Sequence, residues 1–324
     1  LDFFTNSLFS HCLATSALEG HLRTKITEMM GIKYPAFQGG MAWVAEPSLA
    51  AAVSNAGGLG TVTGSYYAPE TLAQKIQEAK KLTTRPFAVN FTPGCLNWEE
   101  NLEVCIQEKV AAVTYGRGRH TTYLVITHLK SSGIRCFPVA GSVKHALRAQ
   151  TEGADGVIVS GAEGGGHVGR INSLVLLALV ARELRVPIIA AGGFADGRGV
   201  AAALALGAEA VQMGTRFMCT QESPANPKVK QMLLDATEED TVVTGHVTGI
   251  RMRCLQNQLS KLYEDLADKK AAPSEFDRVG VGKLRAALVE GDTEWGSVPC
   301  GQVVGLINDL PTCQALIERI IGGA

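Results

Sequence analysis

Gly156-Val157-Ile158-Val159-Ser160-Gly161-Ala162-Glu163-Gly164-Gly165-Gly166-His167-Val168-Gly169 joins a short apolar run to a glycine-rich loop closed by one histidine. The run is hydrophobic without alternation, as a parallel strand covered on both faces requires. Glycine tolerates φ > 0 and lets backbone come close to a flat or charged ligand. Histidine changes charge near neutral pH. The stretch reads as a buried strand whose end feeds a ligand site.

Seven further runs share this character. Toward the N-terminus lie Pro35–Gln38, Gly60–Thr63, Phe87–Phe91, Ala112–Tyr115 and Cys136–Val139; toward the C-terminus lie Ile188–Ala191 and Ala210–Met213. They recur about every 21 to 31 residues, the spacing of successive β/α units. Helical segments are predicted between them at Ser48–Asn55, Pro69–Lys81, Trp98–Lys109, Thr121–Ser131, Ser142–Glu152, Ser173–Leu184 and Gly197–Leu206. Eight such units predict a closed (β/α)8 TIM barrel. An open dinucleotide-binding sheet needs G-x-G-x-x-G after its first strand, and Gly39-Gly40-Met41-Ala42 does not supply it.

The barrel is expected to span residues 22–220, followed by a helical cap and substrate region over 221–300 and a segment, 301–324, that returns to the barrel. Asn226–Ala236 and Met252–Lys269 read as helices, the second with Leu255, Leu259, Leu262 and Leu266 near helical spacing; Pro273–Gly296 reads as loop-rich. Residues 1–21 lack the basic start and apolar centre of a signal peptide and are read as an extension outside the fold.

Composition narrows the function. The 324 residues are 46% hydrophobic and carry 30 basic against 31 acidic side chains, net −1, with no basic stripe to suit nucleic acid or an anionic membrane. No apolar stretch is long enough to span a bilayer. Eight scattered cysteines without a C-x-x-C pair suit reduced thiols in a cytoplasmic protein. No set of His, Cys or carboxylates lies at metal-ligand spacing.

Barrel ligands bind at the C-terminal ends of the strands, with phosphate commonly held by the last two loops. Gly192-Gly193 follows the seventh strand, and Gly214-Thr215 follows Gln212-Met213 at the end of the eighth. Little side-chain bulk and one hydroxyl suit a phosphate-bearing cofactor. At the first and third strand ends stand Gly40, Met41, Ala42 and Asn90. Ser160, Gly165, Gly166 and His167 complete the set at the sixth. His167 is the candidate catalytic residue. Glu163 either orients it or supports the loop, the second being favoured. Arg216 is either a site residue or a structural ion-pair partner. The loop after the sixth strand holds no cysteine, which argues against the nucleophilic-cysteine barrels of the IMP dehydrogenase type.

Phe37–Trp43, Asn55–Gly60, Glu163–Gly169, Ala190–Gly197 and Gln212–Phe217 together resemble the nitronate monooxygenase superfamily of FMN-dependent barrels. With Asn257-Gln258-Leu259, Gly296-Ser297 and Gly301-Gln302, the pattern resembles the FabK-type enoyl-acyl-carrier-protein reductase II branch, over about residues 22–310. The resemblance implies FMN, its phosphate held by Gly192-Gly193 and Gly214-Thr215, with Met41, Ala42 and Asn90 along the isoalloxazine and ribityl chain. It implies Gly165 at the flavin, His167 as the active-site histidine, NADH or NADPH as reductant, an enoyl chain on acyl carrier protein as substrate, and a homodimer. Nitronate oxidation by dioxygen is the alternative activity. Two positions depart from the family pattern: Ser160 stands where relatives carry Glu or Gln, and Gly164 where they carry alanine.

Overall fold

The eight apolar runs lie side by side in the computed structural model, which describes residues 22–92, 95–116 and 122–324. The strands are β1 (Ala36–Gln38), β2 (Gly60–Thr63), β3 (Phe87–Phe91), β4 (Ala112–Tyr115), β5 (Arg135–Ala140), β6 (Val157–Ser160), a two-residue β7 (Gly166–His167), β8 (Ile188–Ala191) and β9 (Ala210–Met213). All but β7 form one parallel sheet in the order β1-β9-β8-β6-β5-β4-β3-β2. The ring closes between β1 and the residue before β2: the Leu59 N–H donates to Ala36 O (2.8 Å) and the Gln38 N–H to Leu59 O (2.9 Å). The chain folds as a (β/α)8 barrel.

Helices α2 (Pro47–Asn55), α3 (Pro69–Leu82), α4 (Trp98–Gln107), α5 (Thr122–Ser131), α6 (Val143–Thr151), α7 (Ser173–Glu183) and α8 (Gly197–Ala205) ring the sheet. A further short helix, α1 (Lys25–Met30), precedes β1. Its Ile26 and Met30 join Phe37, Phe137, Ile158 and Ile189 inside the barrel, where Phe37 and Phe137 meet edge to face at 5.9 Å. Ala88, Ala112 and Ala210 leave room for those rings. Because α1 bonds to Glu209, at the start of β9, it stoppers the N-terminal end and leaves the opposite rim for ligands. Strand residues of the other parity, such as Val62, Val89, Val157 and Val211, pack outward against the helices.

After β9 come α9 (Thr215–Met218), α10 (Pro227–Asp235), β10 (Thr241–Thr244), β11 (Met252–Leu255), α11 (Gln258–Asp268), α12 (Pro273–Gly280), α13 (Lys283–Leu288) and α14 (Cys313–Gly322). Two expectations are corrected. Met252–Leu255 is a strand, because β10 and β7 flank it and take its main-chain groups. The helix starts at Gln258, behind the Asn257 cap and its reciprocal bonds with Ser260. Pro273–Gly296 is not mainly loop: it holds α12 and α13, and Phe276 stacks on Tyr263 of α11 at 5.9 Å and 3°. The C-terminal α14 packs on α2 and α8, burying Leu316, Ile317 and Ile320. The N-terminal extension, the start of the predicted Thr121–Ser131 helix, His11, His21, His120 and Cys12 lie outside the described residues. The other seven cysteines are free thiols.

Candidate active site

Parallel register sets the rim. Ser160 pairs with Ala191, Ala191 with Gln212, and Gln38 with Met213, so the ends of β6, β8, β9 and β1 lie level. Just beyond, Gly192 and Gly193 adopt φ of 78° and 90°, a left-handed path that side-chain-bearing residues resist. A Cβ on Gly192 would lie 2.9 Å from Gly161 O and 3.0 Å from Gly164 N, so the β6 and β8 loops meet backbone to backbone. Gly214 caps α9, and the N–H groups of that first turn have no intrahelical acceptor. The buried Thr215 hydroxyl accepts from the Gly301 N–H at 2.9 Å, which leaves its own proton to donate.

The β1 end forms the adjoining wall. The Gly39 N–H donates to Met213 O (2.9 Å), and a Cβ on Gly39 would touch the Gln212 side chain at 3.5 Å. A Cβ on Gly40 would fall 2.1 Å from Asn90 Cγ, and one on Gly214 would sit 3.7 Å from Met41 Sδ. Asn90 Nδ2 donates to Thr114 Oγ1 at 2.8 Å, which turns its oxygen toward Gly40. Gly40, Met41, Asn90, Gln212 and Gly214 are therefore one cluster, and the half-buried Ala42 follows Met41 along it. Backbone N–H groups, a free hydroxyl proton, an amide oxygen and glycine-floored space suit a phosphate joined to a flat, hydrogen-bonding ring system. Met213 turns its side chain into the barrel–helix layer and reaches this rim only through its backbone.

The glycine loop is pinned at several points. A Cβ on Gly161 would collide with Ser173 Oγ at 2.0 Å. Glu163 accepts from the Ser173 N–H (2.7 Å) and O–H (2.8 Å), placing negative charge at the N-terminus of α7. Its carboxylate thus supports the loop through α7. Ser160 Oγ faces Gly164, and Gly165 presses on the Cys300–Gly301 backbone, where a Cβ would meet Cys300 at 2.5 Å. Gly166 turns with φ 72°, and Gly166–His167 then pairs antiparallel with β11, His167 opposite Met252. Arg253 of β11 ties this ladder back to the loop by donating from Nε to Ala162 O (3.1 Å).

His167 is exposed at the rim, yet the protein mass around its ring, by desolvation, lowers its pKa below the ordinary 6.5. The imidazole is neutral at pH 7, with one N–H to donate and one nitrogen to accept.

Arg216, beside Thr215, is the structural ion-pair residue. Buried, it donates to Asp309 Oδ1 (3.0 Å), Asp309 O (2.8 Å) and Cys219 O (2.8 Å). His246 lies on the exposed β10–β11 turn against Arg251 (2.9 Å), and His128 pairs with Glu103 on the surface. Sequence reasoning passed over Ser173, Thr114 and Arg253. Ser173, at a predicted helix start three residues after Arg170, carried a usable signal, whereas Thr114 and Arg253 act only through neighbours on other strands.

The family model described as nitronate monooxygenase matches residues 23–94 and 91–323. FabK from Thermotoga maritima is similar in structure, with a TM-score of 0.90 and 42% identity over 93% of this chain and 96% of that one. A Rhodococcus jostii protein named (3aS,4S,5R,7aS)-5-hydroxy-7a-methyl-1-oxo-octahydro-1H-indene-4-carboxyl-CoA dehydrogenase is 37% identical over 94% of this chain and 96% of its own length. A probable nitronate monooxygenase of Staphylococcus saprophyticus is 32% identical over 93% and 97%. Between them these matches take in nearly all of the described barrel and the region that follows it. The chain belongs to the nitronate monooxygenase family.

Proposed function

We propose that the protein is an FMN-dependent oxidoreductase of acyl thioesters, reducing trans-2-enoyl groups on acyl carrier protein with NADH or NADPH. The observation that carries this reading is relatedness: identity is higher to FabK and to the CoA-thioester dehydrogenase than to the probable nitronate monooxygenase. The rim chemistry agrees with it. Gly192, Gly193, Gly214 and Thr215 offer backbone N–H groups and a hydroxyl to a phosphate, and Gly40, Met41, Ala42, Asn90 and Gln212 offer a flat wall with amide groups to a ring.

FMN, when bound, supplies hydride transfer between the nicotinamide and the enoyl carbon. Reduction adds hydride at Cβ and a proton at Cα, and negative charge builds on the thioester carbonyl oxygen meanwhile. His167 donates its neutral imidazole N–H to that oxygen, stabilising the charge as it develops. Glu163 and Arg253 hold the loop that carries His167, so the donor is positioned before substrate arrives. The proton at Cα comes from water or from the same imidazole.

The description of the family model favours a second reading, nitronate oxidation by dioxygen, in which His167 Nε2 or Nδ1 takes a proton from the carbon α to a nitro group. One pair of assays separates the two. Nicotinamide oxidation with crotonyl thioester is expected; its absence, together with rapid oxygen uptake on a nitronate, selects the second reading.

A further inference from the structure

Two bulky side chains at the ligand rim hold a backbone conformation that such residues rarely adopt. Trp43, two residues past Met41, has φ 64°, and Tyr66, three past β2, has φ 78°. Among the described residues, the other non-glycine positions with positive φ are Asn97, Lys109 and Lys270. Asparagine tolerates this region, and the two lysines follow the ends of α4 and α11, where chains commonly turn this way. Trp43 and Tyr66 have neither excuse, and they touch: their rings stack at 5.9 Å and 24°. Strain kept at two adjoining aromatic residues beside a ligand cluster marks a functional surface.

The surroundings state its chemistry. Tyr67 braces Trp43 edge-on at 6.2 Å, and its hydroxyl bonds Glu46. The Arg285 guanidinium of α13 lies 5.9 Å from the Trp43 ring. Both nearby cations are paired, Arg285 with Glu290 and Lys75 with Glu46. Tyr66 stays 53% exposed. The Ser65 hydroxyl, next to Tyr66, accepts from the Thr92 N–H at 2.7 Å, so the turn after β2 is tied to the end of β3. The segments after β1 and β2 thus meet in an aromatic shelf, Trp43 on Tyr66, two residues along the chain from Met41.

The geometry points to the stacked Trp43–Tyr66 pair as the subsite that holds the apolar acyl part of the thioester substrate and sets its preferred length. This rests on the thioester reading above. The shelf rewards acyl groups long enough to reach it and leaves short ones unaided.

The test compares octenoyl with crotonyl thioester in the flavin-loaded protein, as the ratio of kcat/KM, for Tyr66→Gly and Tyr66→Phe. Octanoyl and butyryl thioesters are titrated in parallel as binding probes that need no turnover. Tyr66→Gly is expected to lower the long-to-short ratio about tenfold in both measurements, with Tm unchanged or raised because glycine accepts φ 78°. Tyr66→Phe, which keeps the ring, retains the ratio. An unchanged ratio in Tyr66→Gly, or a ratio lost equally in Tyr66→Phe, overturns the assignment. Failure of the unmodified protein both to turn over and to bind any thioester defeats the thioester reading itself, and the shelf's role with it.

Discussion

In the proposed reaction His167 donates to the substrate, and its environment decides in which form. Desolvation holds its pKa below 6.5, so the neutral ring prevails at pH 7 and above. Enoyl reduction should therefore hold a plateau of kcat/KM between about pH 7 and 8.5. A fall with rising pH across that window would show that the imidazolium, and not the neutral ring, is the donor. His167→Ala should lower kcat about 100-fold and leave flavin absorbance in place, because the cradle lies on other loops. Gly40 is a sharper position. Its missing Cβ leaves space 2.1 Å from Asn90 Cγ, and Asn90 is tied to Thr114. Gly40→Ala should weaken flavin binding at least about tenfold and lower stability by about 1–3 kcal/mol, read by flavin titration and chemical denaturation. These residues were legible from glycine runs at strand ends, since close backbone approach leaves that mark on a sequence. Trp43 was legible only as part of a motif, because nothing in its side chain announces a left-handed backbone.

At the level of elements, the small antiparallel ladder of β10, β11 and β7 does what the glycine loop cannot do alone. It gives His167 a fixed main-chain partner in Met252. This ladder escaped the sequence reading because Met252 to Lys269 carries leucines near helical spacing, and the break at Asn257 is marked only by its capping bonds. Register with a strand far away in sequence overrode the local pattern. Arg216 makes a similar link, from α9 to Asp309 and on to Arg319 in the last helix. The Arg319 hydrogen bond, with Arg216 adding to it against desolvation, holds the Asp309 carboxyl below its ordinary 3.8. Asp309→Asn should cost about 2 kcal/mol at pH 7 in urea unfolding. A depressed carboxyl stabilises the fold above its unfolded value and loses that contribution as pH falls through its folded one, so the difference should shrink below about pH 3.8. A difference that persists undiminished in acid would mean that the carboxylate charge is not its source.

Across the whole molecule, the barrel could be read because its eight strands are buried on both faces and so leave unbroken apolar runs, such as Val157–Val159 and Ile188–Ala191. Helix α1 was missed, being only six residues long, although it stoppers the barrel and thereby leaves a single rim for chemistry. That rim brings together the glycine loop, the Gly192-Gly193 and Gly214-Thr215 turns and the Asn90–Gly40 wall, with the Trp43–Tyr66 stack two residues along the chain from Met41. The most direct measurement is an anaerobic visible-absorbance titration of the purified yellow protein, first with NADH or NADPH and then with a trans-2-enoyl thioester. Bleaching of the flavin band by the nicotinamide and its return on adding the thioester is the expected result. A flavin that the nicotinamide does not bleach, or that recovers its band only when dioxygen is admitted, would contradict it.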